Sequence, residues 1–437
     1  MFETLRNAFK VKDIRRRLLF TFAMLVVVRL GSQLPITGID SNVFKNLFAS
    51  SGDSMTFFDA ITGGSFEQMS VFALSITPYI TSSIIMQLLT IAFPKLEEMQ
   101  RDGESGRKKI TKITRYLTIA LSIMESSAMA IGFGRGGYLD EFNALSVIMI
   151  IAVLTAGSAV LMWIGEQITE HGVGNGISIV LVINIVSRMP SDVTTLFKQF
   201  VLGKTVAKGA LSAIVILAII ITTVVFVVIL QNAERRIPVQ YSQKMQGRRM
   251  VGGNSTNIPL KVNTGGVIPV IFAQSLLQTP VIIASLLGKT NGTGIGSQIL
   301  KGMSQSNWFN PDNWIYSIGV IVYLLLIIAF AYFYTSITFN PLEIADNLKK
   351  RGGFIPGYRP GKPTSDYLTS ILNYVIFIGA IGLSIVSLIP IFFNGVFSAN
   401  VSFGGTSIII VVGVVIETLK QIESQLMVRN YKGFLNN

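Results

Sequence analysis

The 437 residues contain no cysteine and a single histidine, His171. Disulfides, iron–sulfur ligation and thiol chemistry are therefore excluded, and one histidine stands against a histidine metal site or a Ser-His-Asp triad. The run Leu287-Gly288-Lys289-Thr290 imitates the end of a phosphate-binding loop. Such a loop needs a further glycine five positions earlier, where Ile283 stands. No nucleotide, metal or cofactor site is expected, and the chain is read as no enzyme, so its energy must come from a partner or a gradient. Polar residues inside the apolar stretches include Arg29, Gln87, Glu125, Asn184, Gln274, Gln278 and, near one end, Glu417. A carrier of solutes or ions normally places ionisable groups at mid-membrane. An intramembrane hydrolase needs a pair of aspartates, or a serine with a histidine, and no apolar stretch holds either.

These residues must be positioned by membrane-spanning helices. Half of the residues are hydrophobic, mean hydropathy is +0.57 and 14% are charged, against about 25% in a typical soluble domain. Roughly ten stretches approach the ~20 residues needed to cross a bilayer. They are 18–34, 71–93, 113–133, 145–164, 177–189, 210–230, 267–287, 314–339, 367–393 and 407–426. The N-terminal run continues as a span without a small-residue cleavage site, so it is not read as a removable signal. Of the 36 Lys and Arg residues, 27 fall on the side of the termini and the even-numbered connections, and 8 on the other side. That bias places both termini in the cytoplasm.

Three segments on the basic side exceed what a helix–helix connection requires. They are 94–115, 231–263 and 340–366. In the second, Ile237, Val239 and Tyr241 alternate as in a short hairpin strand. In the third, glycines and prolines exclude a continuous helix, and an ordered loop with turns is expected. Long basic loops suit a large or anionic partner such as ribosomal RNA.

An odd number of spans per half makes two halves antiparallel, as in inverted-repeat folds, whose sites are lined by short or Gly/Pro-interrupted spans at matching positions. Pro78 interrupts the second span, and Pro269 and Pro280 the seventh. The fifth and tenth are entered through Gly174-Asn175-Gly176 and Gly404-Gly405. These four spans are the candidates for lining the centre, and their middles hold Ile76, Ile80, Ile177, Leu181, Ile271 and Ile410. An aliphatic constriction resists ions by dewetting and offers nothing to bind one. It suits a passage that seals when empty and yields to a wide, chemically varied substrate. Before the second span, the half-apolar 57–61 and the Gly63-Gly64 joint read as a hinged piece beside that passage.

Eight collinear stretches carry a family resemblance: PYITSSIIMQLL (78–89), GESGRKKI (103–110), MWIGEQITEHGVGNGISI (162–179), NIPLKVN (257–263), GVIPVIFA (266–273), FNPLEIADNLKK (339–350), PGYRPGKPT (356–364) and FGGTSIII (403–410). By these the chain resembles the SecY family, the channel subunit of the Sec protein translocase. The resemblance implies an all-α polytopic membrane protein of about ten transmembrane helices, in two pseudo-symmetric inverted five-helix halves around a central pore. The expected organisation is a cytoplasmic segment 1–17, a first half 18–189 with a plug at 57–68, an external hinge 190–209, a second half 210–426 with large cytoplasmic loops 231–263 and 340–366, and a tail 427–437. Ile76, Ile80, Ile177, Leu181, Ile271 and Ile410 map onto the pore ring. Phe57, Phe58, Ile61, Gly63, Gly64 and Phe66 map onto the plug. A lateral gate would open between the second and third spans on one side and the seventh and eighth on the other, with Gln87 and Gln274 assigned to its surface. Arg235, Arg236, Arg248, Arg249, Lys349, Lys350 and Arg359 lie on the loops that would receive partners.

The implied function is conduction of unfolded secretory chains across a bacterial plasma membrane, with lateral release of hydrophobic segments into lipid. The implied partners are SecE and SecG subunits, the SecA motor ATPase, the ribosome, signal sequences and preproteins, and membrane lipid. The competing class is a secondary solute transporter with inverted repeats.

Overall fold

The computed structural model describes residues 6, 8–39, 62–137, 139, 141–202, 206–241, 244–246, 249–251, 255–286, 294–309, 314–397 and 405–435. Helix α1 (Lys12–Gly31) carries Asp13 in its first turn and Arg29 in its last, the signs its dipole favours. Turns over 63–76 lead into α2 (Thr77–Ala92). Pro78 stands in the first turn of α2. There its missing N–H would lack an intrahelical partner in any case, so Pro78 begins a helix and does not kink one. The bend falls instead at Phe93, held extended before Pro94, and α3 (Pro94–Arg101) leaves α2 at 108°.

Helices α4 (Glu104–Gly136) and α5 (Ala144–His171) pack through small polar side chains. Thr114, Thr118, Ser122 and Ser126 recur every four residues on α4 and are buried. Ser122 donates to the Ser158 hydroxyl at 3.3 Å, the Ser126 and Thr155 hydroxyls lie 3.2 Å apart, and Arg115 pairs with Glu166 at 2.7 Å. Small residues let helix backbones approach where no hydrophobic driving force separates helix from lipid.

Helix α6 (Gly176–Phe200) is capped by the Asn175 side chain, which accepts from Ser178 N at 3.4 Å. The sequence places its end near 189 and an external hinge at 190–209. The helix instead runs through Pro190 to Phe200. One proline costs a single backbone bond and a local kink, and helical residues follow it directly. Then come α7 (Val206–Asn232), α8 (Ile268–Leu286), α9 (Ile295–Met303), α10 (Ile318–Thr338), α11 (Pro341–Lys350), α12 (Lys362–Phe397) and α13 (Gly405–Leu435). Among the described residues six helices are long and apolar enough to cross a membrane, a seventh if the bent α2–α3 pair forms one span, and Ile268–Leu277 is a shorter apolar helix. The chain is thus a mainly helical, multi-pass membrane protein.

Three of the buried cores sort by chain position. One core joins α7, α8, α10, α12 and α13 through Val227, Val270, Tyr323, Val386 and Ile409 around the fully buried Trp308, whose indole N–H donates to Gly302 O at 2.8 Å. Two others draw only on earlier residues. Ile36, Met69, Phe133 and Leu154 form the first, and Val28, Phe72, Ile76, Ile164 and Val180 the second.

Outside the helices, β1 (Glu234–Tyr241) pairs antiparallel with β4 (Ser255–Lys261), while β2 (Lys244–Gln246) and β3 (Arg249–Val251) pair with each other. The far edge of β1 takes β5 (Gly353–Phe354), with Gln240 opposite Phe354. The two long loops 231–263 and 340–366 therefore share one sheet, ordered β4-β1-β5.

Candidate functional site

Four helices bring their starts to one place. Leu181 and Ile185 of α6 and Ile410 of α13 are buried together, with Ile80 of α2 and Val267 and Ile271 at the start of α8 packed against them. Ile80 also packs on the adjoining cluster that contains Ile76 and Ile177. All six residues singled out as a ring thus lie in two clusters that share Ile80. Their placement is matched in pairs. Ile80 and Ile271 are each the fourth residue of their helix, and Leu181 and Ile410 each the sixth. Val267, Ile185, Val411 and Val414 join this layer, and sequence reading missed them because apolar residues one turn away carry no distinguishing signal. Its clustered side chains are aliphatic, and such side chains repel water and ions without binding either.

Nearly one turn after Leu181 on α6, roughly 4.5 Å along the axis, the buried Asn184 donates to Ser75 Oγ at 3.2 Å. The described part of the expected plug, from Thr62 onward, lies against this turn. A Cβ on Gly63 would come within 2.8 Å of Asn184 Cα, and Gly63 (φ +69°) and Gly64 (φ +86°) both have left-handed backbone, so space and conformation favour glycine at 63 and conformation favours it at 64. Phe66 packs on the core around Met69. Phe57, Phe58 and Ile61 lie outside the described residues. Arg29, in the last turn of α1, donates to Gly63 O at 3.2 Å.

The two glutamines assigned to a lateral gate have different surroundings. Gln87 is exposed on α2, whereas Gln274 of α8 is buried and its amide donates to Gln305 at 3.3 Å. Glu125, on α4, is partly buried.

The two-loop sheet has its own apolar core of Ile237, Val239, Leu260, Leu348, Ile355 and Leu368. The alternation along β1 thus faces α11 and β5. Helix α11 was not expected within the Gly/Pro-rich loop. Its signals were local: Asn340 accepts from Leu342 N and Glu343 N, Pro341 opens the first turn, and Lys349 and Lys350 close the last. Arg235, Arg236, Lys349 and Lys350 are exposed on this platform, Arg236 pairing with Glu234 at 2.7 Å. Arg249 lies in β3, and Arg248 falls outside the described residues. Arg359 is exposed at the tip of a turn between Gly357 (φ +88°) and Gly361 (φ +105°). Its carbonyl accepts from Thr364 Oγ1 at 2.8 Å, and the neighbouring Tyr358 ring stacks on Tyr367 with centroids 3.9 Å apart.

An aliphatic constriction at the meeting of four helix starts, with a glycine-jointed segment beside it and a basic platform on long loops, defines a polytopic channel-like membrane protein. The comparisons agree. The SecY family model matches residues 70–419. The protein translocase subunit SecY of Streptomyces galbus is 44% identical over 450 residues, and that of Bacillus subtilis 43% over 452, each covering 100% of both chains. The structure of a protein conducting channel superposes with a TM-score of 0.61 at 19% identity, over 94% of this chain and 92% of that one. Sec61 in the canine ribosome–channel complex gives 0.58 at 18%, with the same coverage. The chain belongs to the SecY family.

Proposed function

We propose that this chain is the channel-forming subunit of a protein translocase, which passes unfolded secretory polypeptides across the membrane and releases hydrophobic segments sideways into lipid. The observation that carries the reading is the aliphatic layer of Ile80, Leu181, Ile271 and Ile410, contributed in matched pairs by four helices. Around it, ten membrane helices form two inverted halves of five. Three of the buried cores divide into residues before 184 and residues after 223, which supports that division, while the aliphatic layer and a core of Ala8, Ile14, Val173 and Ile422 join the two. Both termini face the cytoplasm, as the Lys/Arg bias indicates.

In this reading the packed layer is the closed seal. The 57–68 segment covers it as a plug. A signal sequence enters between α2 and α4 on one side and α8 and α10 on the other, and the plug moves away. The aliphatic side chains then surround the passing chain without holding it, since they offer no hydrogen bonds. A segment of about twenty apolar residues favours hydrocarbon over an aqueous path and leaves sideways. The platform of β1, β4, β5 and α11 receives the SecA motor or the ribosome, and SecE and SecG complete the complex. A solute transporter would need a polar site at the meeting point, where the described side chains are aliphatic.

The test is reconstitution. The chain is incorporated into liposomes with its two small subunits and supplied with motor, ATP and a radiolabelled preprotein. Protease-protected preprotein that appears only with ATP and an intact signal sequence is the expected result. A folded complex that binds the motor yet protects no preprotein would overturn the reading.

A further inference from the structure

Three donors converge on two turns of the 62–70 segment. From α1, Arg29 Nη1 donates to Gly63 O at 3.2 Å. From α6, Ser187 Oγ reaches the same carbonyl at 3.5 Å, its shorter bond of 2.7 Å going to Asn184 O. One residue on, Arg188 Nη1 lies 2.5 Å from Glu67 Oε2, with side chains 20% and 31% exposed. Arg188 Nη1 is also 3.6 Å from where a Cβ on Gly64 would stand, so the guanidinium lies against the glycine joint itself. Arginines within or at the edge of membrane helices are costly unless paired. These two come from different helices and meet the same short segment, one through its backbone and one through its single carboxylate.

We infer that Arg29 and Arg188 are positioning residues that clasp the 62–70 segment over the aliphatic layer, with Glu67 as the counter-charge that sets how readily this channel opens. The inference rests on the plug reading given above. It adds the residues that hold the plug and the contacts that must break when it leaves. Glu67 travels with the segment, while Arg188 stays on α6 and Arg29 on α1. Each opening therefore separates the Arg188–Glu67 ion pair and the Arg29 hydrogen bond to Gly63 O. Partial burial on both sides makes the pair stronger than a fully exposed one, though weaker than a desolvated one. The clasp can thus bias the closed state without locking it.

The test uses the full chain with its partner subunits in liposomes and reads small-ion efflux through idle channels, with no preprotein present. Variants Glu67→Arg and Arg188→Glu each raise idle efflux roughly fivefold or more, because each sets like charges against one another. The exchange of both, E67R with R188E, restores the pair and returns efflux to within about twofold of the unmodified chain. Glu67→Gln, which fits the same space, gives an intermediate rise and carries the test if a reversal variant fails to assemble. Preprotein transport is retained by all of them. Single variants no leakier than the unmodified chain, or an exchange as leaky as the single variants, overturn the clasp. Deletion of 57–68 separates the two levels. If the deletion leaks and the single variants do not, the clasp is wrong and the plug stands. If the deletion itself stays tight, the plug reading falls and the clasp with it.

Discussion

Replacement of Ile410 by aspartate makes the idle channel conduct ions. Ile410 is 4% exposed and lies in one cluster with Leu181, Ile185, Ile80 and Ile271. A carboxylate there has no cationic or hydrogen-bonding partner in the layer, and burying it unpaired costs several kcal/mol. The cheaper outcome is to admit water, and a wet constriction conducts. Idle efflux is expected to rise at least about tenfold, the equivalent of ~1.4 kcal/mol of lost closing energy. Preprotein transport continues, because an open ring still passes a chain. The fold survives, because the adjacent Ile408 and Ile409 belong to the other core and are untouched. Ile410→Leu conserves volume and stays near the unmodified level. An assembled Ile410→Asp channel as tight as the original would mean that this layer is not the seal.

Charge reversal at Arg359 has the second large effect. The tip that carries it is rigidly built, with positive-φ glycines on both sides, the Thr364 bond to its carbonyl, the Tyr358–Tyr367 stack beneath, and β5 sewn to β1. A preorganised, exposed cation is the type of group whose reversal weakens docking without loosening the fold. Arg359→Glu is expected to lower motor-driven transport by roughly ten- to a hundredfold, in line with ~2–3 kcal/mol for a buried interface charge. Its melting temperature should match the unmodified complex. Lys350→Glu, also exposed and on the same platform, serves as the comparison, with a smaller loss expected because α11 ends there without such a tip. Equal transport by Arg359→Glu and the unmodified chain would remove Arg359 from the coupling role.

Much of this was legible in the residues themselves. The apolar stretches announce their helices because length and hydropathy are local properties. The six aliphatic residues read at mid-span cluster instead at helix starts, as α2 begins only at Thr77 and α6 and α13 run on to Phe200 and Leu435. Proline was the least reliable sign. Pro78 starts α2, and Pro190 sits within α6, since what a proline does depends on whether its missing N–H falls in the first turn or the interior. Helix α11 had all its caps written out from Asn340 to Lys350, yet the glycines that follow dominated the reading. The β1–β5 pairing joins residues more than a hundred positions apart, and two residues of β5 leave no pattern to find. Arg29 and Arg188 were visible as charges near membrane helices, but Gly63, whose carbonyl Arg29 reaches, and Glu67, which pairs with Arg188, stand in a segment with no regular structure.

The most direct measurement exploits the absence of native cysteine. One cysteine is placed at Ile80 and, in a separate chain, one at Ile271, and each is tested for disulfide formation with a secretory polypeptide stalled midway by a folded tail. A cross-link at both positions that requires the signal sequence and the stall is the predicted result. Transport-competent variants that form no cross-link at either position would show that the polypeptide takes another route.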